Sequence, residues 1–447
     1  MYENHNSLFL ITCIAIITIL LGGLFVHTSL TPKTYKSRDF VSSVVQTPEK
    51  KISNRADVNG IFTYGPYINL DKGQYNITLN YSSTKEQKFE ITYGNGGLYI
   101  YDNILPAGEN SKTFKFNVPE NAVEEPLVEL AKEKCDVIFA TSYGYGKTTK
   151  EVAKKYPEIQ FCQATGDNAN QNPIVSNYHT YMGAVYQGRY IAGIVAGMKL
   201  QEMISEGKIT PQDAKIGYVG AYAYAEVISG YTAFLLGARS VVPETVMTVC
   251  YANTWSSYSY EKEIAKSLIE DGCVIISQHS DTTGPAVACE EMSQTDKYEV
   301  YHVGYNQGMT SVAPTTSLIG CKVNWEPYES AVIQAVLDGK KIESELDVQK
   351  EKNDAWGGLA DNWVQMLELN EVIAAPGTRK AVKRAIDGFA KGQIKVFYGK
   401  YTGVNPLNPS DKIDLTKEYQ ENAKASAPGF CYQLDDIVTV KEMDTQQ

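Results

Sequence analysis

An α/β fold wound from parallel strands is the architecture this 447-residue sequence predicts. Three observations carry that prediction. Residues 214–238 read strand, glycine turn, helix: KIGYV (215–219) is a short buried-strand run and Gly220 turns it. Val227, Ile228, Tyr231, Phe234 and Leu235 then share one helical face. That is half of a βαβ unit, and the same unit recurs before and after it. Ahead of them, 55–118 switches to a period of two and 8–26 is an apolar run free of charge. The wound domain is therefore expected to follow a small antiparallel β-sandwich and an N-terminal transmembrane helix.

The run 8–26 (LFLITCIAIITILLGGLFV) is long enough to span a bilayer, since roughly 20 apolar residues do so. Its leader MYENHNS lacks the Lys or Arg of a cleaved signal, so an uncleaved, single-pass anchor in the cell membrane is expected. Lys33, Lys36 and Arg38 follow it and would favour the cytoplasm. The character of the later domains outweighs them and places those domains on the extracellular side. Residues 27–54 are polar and aperiodic, as a tether would be. In 55–118, QYNITLNYSS, KFEITYG, LYIYDN and TFKFNV alternate apolar and polar residues between turn residues. About five strands fit there, fewer than the ~7 of a complete sandwich.

After Pro119 strands are expected at 136–140, 159–164, 215–219, 246–252, 273–277, 300–304 and 317–323, with helices between them. The stretch 181–200 (YMGAVYQGRYIAGIVAGMKL) reads as one apolar helix whose Gly188, Ala192, Gly193, Ala196 and Gly197 permit close packing. Gln187 and Arg189 interrupt it too much for a membrane span. A late helix is expected at 326–337, and the tail 404–447 is polar and reads as irregular.

Composition narrows the function. Asp and Glu number 52 against 41 Lys and Arg, which argues against a nucleic-acid partner. The 8 cysteines are scattered without CxxC or Cys/His clustering, so no metal site is expected; disulfides stay open. There is no GxSxG or HExxH. His279, Ser280 and Asp281 are sequential neighbours, whereas a triad needs spatial ones. GYGKTT lacks the spacing of a phosphate loop. No catalytic constellation and no cofactor are therefore expected.

The strings CDVIFATSYGYG, YQGRYIAGIVAG, AKIGYVGAYAYAEVISGYTAFLLGARSV, SLIEDGCVIISQHSDTTG, EVYHVGYNQG and GQIKVFYGKYTG occur in this order over 121–403. That region resembles the BMP (basic membrane protein) family of ABC-transporter substrate-binding proteins, many of them nucleoside receptors. The resemblance implies a type I periplasmic-binding-protein-like fold, two lobes of wound parallel sheet closing on a ligand. It places Tyr143, Gly144 and Tyr145 of TSYGYG at the cleft. It puts Trp255 of ANTWSS where an aromatic stacks on the base, and supplies Ser280 and Asp281 from HSDTTG. Tyr222 and Glu226 come from the loop between strand and helix at 221–226. Asn306 of VGYNQG stands where many members carry aspartate, and Asn324 of CKVNWEPY about where they carry lysine. Amides bond more weakly than ions, which argues against a nucleoside itself, so the expected ligand is left as a nucleoside or a similar small molecule. The family's first βα unit has no counterpart; the β-rich segment stands in its place, and the join at 119–121 reads as a fusion. The expectation is a membrane-tethered extracellular solute-binding protein serving an ABC permease. The alternatives are a surface sensor or adhesin using the Tyr-rich β-segment, or a fusion without function.

Overall fold

The computed structural model describes residues 124–443 apart from 142 and 296, and before them a set of strand-bearing segments between 9 and 118. The chain divides into two compact units, Met1–Ala122 with Met443–Gln447, and Val123–Glu442.

In the first unit every described pairing is antiparallel. Gly73–Ser83 pairs along its length with Gly108–Val118, and on its other edge with Phe9–Thr12 and Thr18–Leu20. Gln87–Tyr93 and Leu98–Leu105 form a hairpin. The alternating strands expected in 55–118 are thus present, with Leu79, Phe114 and Phe116 buried; a two-layer sandwich is not among the described features. Within 8–26 the described residues are strands rather than helix. This run is rich in β-branched Ile and Thr, which suit a pleat as well as a span. The other positions of the expected anchor, most of the tether and the join at 119–121 lie outside the described residues. Among the described residues no helix is long and apolar enough to cross a membrane.

The second unit alternates as its sequence predicts. It opens with α1 (Glu124–Lys132), β1 (Val137–Ala140), α2 (Gly146–Lys155), β2 (Gln160–Ala164) and β3 (Tyr178–Gly183). The long α3 (Val185–Ser205) leads into β4 (Lys215–Gly220), α4 (Ala225–Arg239), β5 (Val246–Tyr251), α5 (Tyr258–Glu270) and β6 (Ile275–His279). Next come α6 (Gly284–Ser293), β7 (Tyr301–Tyr305), β8 (Ser317–Val323), α7 (Glu326–Leu337) and α8 (Ile342–Glu345). The chain ends through β9 (Gln349–Glu351), β10 (Asp354–Gly357), β11 (Val364–Met366), α9 (Thr378–Ala390), β12 (Thr402–Asn405), β13 (Asn408–Asp414), β14 (Gln433–Leu434) and β15 (Val438–Val440).

These strands make two main sheets, one per lobe. The first lobe has the order β1-β2-β3-β10-β9, and the second β11-β8-β7-β6-β4-β5-β15. Pairing is parallel except for the edge strands β9 and β11. Among the described strands β1 bonds to a neighbour on one side only. Its Val137 and Phe139 are half-buried where the interior strand β3 is wholly buried.

Two expectations change. The helix expected from 181 begins at Val185, because Tyr178–Gly183 is a central strand. A strand buried on both faces shows no alternation, so an apolar run shared by strand and helix cannot be divided by period. The tail expected to be irregular instead builds the small sheet β13-β12-β14 and adds β15 to the second lobe, where Leu415, Phe430 and Leu434 are fully buried.

The lobes are joined by three crossings, β3 to α3, β8 to α7 and β10 to β11. They bond to one another: Ala184 N donates to Gly357 O at 2.8 Å and Asn324 N to Trp363 O at 2.8 Å. The tail adds a strap between the lobes. Ser426 N donates to Asp354 Oδ2 of the first lobe at 2.8 Å, and Glu421 Oε1 accepts from Ser229 Oγ of α4 at 2.8 Å. Burial pushes Glu421 from 4.5 up to about 7, its bonds to Ser229, Gly429 and Phe430 notwithstanding. An acid raised in the folded state stabilises below its unfolded pKa and loses that contribution as pH climbs through the folded one. Between about pH 4.5 and 7 the Glu421 contribution falls by on the order of 3 kcal/mol. Urea midpoints followed across that window should fall for the parent and flatten in Glu421→Gln; parallel curves would refute the assignment.

Candidate functional site

In the second lobe the strands β4 to β8 lie in chain order 2-1-3-4-5, so the winding reverses between β4 and β6. Loops leaving the carboxyl ends of strands at such a point diverge and leave a crevice. The loops 221–224 and 280–283 flank it, and 252–257 adjoins them: Ala221 N donates to His279 O at 3.0 Å and Asp281 N to Trp255 O at 2.7 Å.

An aromatic row runs from the lip of the first lobe to the floor of the second. Tyr143, in the turn Tyr143–Tyr145 after β1, is 46% exposed and faces Tyr224 across the lobes at 5.9 Å between ring centroids. Tyr224 stacks on Tyr222 at 4.9 Å, and Tyr222 meets Trp255 edge-on at 5.9 Å. Trp255 lies 6.4 Å from His279, which packs on Tyr305 at 3.9 Å.

Carboxylates are set along this row. Tyr143 Oη donates to Asp167 Oδ2 at 2.9 Å. Glu226, opening α4, has Oε1 3.5 Å from His279 Nε2 and accepts from Tyr305 Oη at 3.4 Å. His279 is wholly buried, and among the described residues its ring nitrogens have no polar partner closer than Glu226. Burial holds its pKa below the usual value, against the pull of Glu226. Asp281 reaches water but sits in a crowded recess. Burial, with the charges of Glu261 and Glu226, pushes it up to about 6. None of Asp167, Glu226 and Asp281 is ion-paired with Lys or Arg among the described residues.

Backbone strain collects here too. Thr165, Asn253 and Asn306 follow β2, β5 and β7 at φ of 60°, 53° and 56°. For β-branched Thr165 that is a costly conformation of the kind held at functional loops.

The structure brings Tyr143, Tyr222, Glu226, Trp255 and Asp281 together at this crevice. Gly144 lies beside Tyr143 in open space, and Tyr145 is half-buried with its carbonyl bonded to Thr149 Oγ1 at 3.0 Å. The other three candidates are tied into the frame. Ser280 is buried, its hydroxyl donating to Glu261 Oε2 at 2.7 Å. Asn306 Oδ1 accepts from Val323 N at 3.2 Å, and Asn324 Nδ2 donates to Asn362 O at 2.8 Å beside the hinge. Sequence reasoning passed over Asp167, Tyr224, His279 and Tyr305 as site residues, although each sits at or just past the carboxyl end of a strand. A separate recess of about 570 Å³, lined by Lys208, Ile269, Val274 and Tyr298 among others, opens at the amino ends of the second lobe's strands. No loop of the switch point reaches it, so the crevice is the better candidate.

Comparison with known proteins decides the family. The profile of Bmp, described as ABC transporter substrate-binding protein PnrA-like, matches residues 88–386, more than half of the chain. The chain belongs to the Bmp family. The match starts ahead of the expected join at 119–121 and so takes in part of the strand-rich segment. Among Bmp-like relatives, a purine-binding protein of Brucella abortus is 29% identical over 68% of this chain and 78% of its own length. A Haloferax volcanii protein named for glucose binding in an ABC transporter is 30% identical over 55% of this chain and 54% of its own. A solute-binding protein from Aeropyrum pernix, known in crystal structure, covers 62% of this chain and 82% of its own at 14% identity and a TM-score of 0.48. This Bmp protein is thus a solute-binding protein of the ABC-transporter class and not an enzyme.

Proposed function

We propose that the chain is a membrane-tethered extracellular receptor that grips a small, flat, donor-rich solute, a purine base or nucleoside, between its lobes for an ABC importer. The observation that carries this reading is the aromatic row beside carboxylates that, among the described residues, no Lys or Arg neutralises. Ring faces accept heteroaromatic rings, and carboxylates accept from N–H and O–H groups while repelling phosphate. Closure about the three crossings would bring Tyr143 and Asp167 onto a solute resting on Tyr222 and Trp255. The purine-binding name of the Brucella relative agrees with this chemistry. Tethering rests on the apolar run 8–26 alone; it predicts that the chain stays with membranes after alkaline extraction.

The test is thermal unfolding of the full chain with adenine, adenosine or glucose. A native-state ligand at a hundred times its Kd adds about 2.7 kcal/mol, a visible rise in Tm. The purine compounds should raise Tm and glucose should not; a rise with glucose alone would replace this reading with a sugar receptor. Trp255→Ala and Asp281→Asn should each weaken purine binding about tenfold or more; Asp281→Asn should not lower the unliganded Tm, whereas Trp255→Ala also lowers it, because the ring packs on the core.

A further inference from the structure

Glu261 lies in the first turn of α5 with none of its surface exposed, and no Lys or Arg pairs with it among the described residues. Uncompensated acids are rarely buried this far. Its oxygens are spent on two loops. Oε1 accepts from Ser257 N at 2.8 Å; Oε2 accepts from Ser280 Oγ at 2.7 Å and Thr282 N at 3.2 Å. The first loop leaves β5 and carries Trp255; the second leaves β6 and carries Asp281.

β5 and β6 are not neighbours, because β4 lies between them. No ladder bonds therefore fix one loop against the other, and the link must be made beyond the end of β4. Among the described residues its hydrogen bonds are those of Glu261 and that of Asp281 N to Trp255 O at 2.7 Å. Gln278 Nε2 braces the second loop from within, donating to Ser280 O and Thr282 O at 2.9 and 2.7 Å. Close packing behind the loops leaves little slack: a Cβ on Gly284 would lie 2.4 Å from Tyr258 O. The amino end of α5 favours a carboxylate there, although burial raises the Glu261 pKa against the pull of its bonds.

We infer that Glu261 is a positioning residue, holding the Trp255 ring and the Asp281 carboxylate at a fixed separation across the switch point without touching the solute. This rests on the receptor reading for its functional meaning, but its physical content is a clamp between two loops. Gln keeps one acceptor oxygen and can hold one loop; Ala holds neither.

Hydrogen exchange read by mass spectrometry on the full chain tests the clamp with no ligand present. In Glu261→Ala, amides of 253–257 and 280–283 should exchange at least about tenfold faster, with β3 and β7 unchanged, and Glu261→Gln should fall between Ala and the parent. A rise spread evenly over the second lobe, or unchanged exchange in the two loops, would overturn the inference. If Glu261→Ala does not fold, Glu261→Gln decides alone: parental exchange in both loops defeats the proposal. Adenosine titration of the same variants separates the two readings. Loop loosening with weakened adenosine binding supports both. Loosening in a chain that binds neither adenosine nor adenine even as parent upholds the clamp and defeats the purine reading. Loosening with undiminished adenosine affinity defeats the positioning role.

Discussion

An alanine at Gly193 or Gly237 should prevent α3 and α4 from docking and leave the second lobe unfolded or severely weakened. A Cβ at Gly193 would lie 1.9 Å from Phe234 O, and one at Gly237 2.0 Å from Tyr190 O. Each helix thus meets backbone of the other, which cannot rotate aside as a side chain can. Relief requires the helices to separate, opening the core built by Ile191, Val195, Tyr231 and Phe234. The expected loss is at least about 3 kcal/mol, the upper range of overpacking. Gly144→Ala is the control: nothing lies within 4 Å of its Cβ, and a change within about 0.5 kcal/mol is expected. Urea denaturation of the three variants checks the contrast. Parental midpoints for Gly193→Ala and Gly237→Ala would mean the helices do not touch.

The second large effect is expected at Arg189, a guanidinium buried beneath the cleft floor with no carboxylate paired to it among the described residues. Nη1 donates to Gly304 O at 3.0 Å; Nη2 donates to Tyr218 Oη at 3.1 Å and Ser277 Oγ at 2.7 Å. The group also lies 4.8 Å from the Phe234 ring centroid and 5.9 Å from that of Tyr305. One side chain of α3 therefore bonds β4, β6 and β7 and supports the ring on which His279 packs. Arg189→Ala should cost about 4 kcal/mol, through a cavity and an orphaned Gly304 carbonyl. Arg189→Met keeps the stem's volume and should cost about 2 kcal/mol, the polar share alone. Both should also weaken solute binding, because Tyr305 loses its support. A stable Arg189→Met with unchanged affinity would show the guanidinium to be dispensable.

Much of the second unit was legible because its helices and strands differ in period. β8 and α7 fall where the sequence places them, and the other expected strands are displaced by a residue or two at their ends. Failures came where period carries no information. Tyr178–Gly183 is buried throughout, and its last three residues continue without a break into the apolar helix, so they merged with it. The tail is polar along most of its length, yet Leu415, Phe430 and Leu434 fill the core through contacts far away in sequence. For the cleft, loops at strand ends led to Tyr143, Tyr222, Glu226, Trp255 and Asp281. The same rule covers Tyr224 and His279, which went unselected because a tyrosine in a Tyr-rich loop and a histidine beside Ser-Asp carry no distinguishing signal.

The amino-acid sequence by itself determined the α/β winding, the family and the loops that form the cleft. Hydrophobic period and glycine turns are local properties, and they survive in a string of letters. Only the tertiary structure decided which polar groups face the crevice and which are spent on the frame. Ser280 and Asp281 are adjacent, yet one hydroxyl is consumed by Glu261 while the neighbouring carboxylate opens to water. Arg189 reads as an interruption in an apolar helix and becomes the polar centre beneath the site. Those outcomes depend on hydrogen bonds between residues 19 to 115 positions apart, which no local pattern encodes.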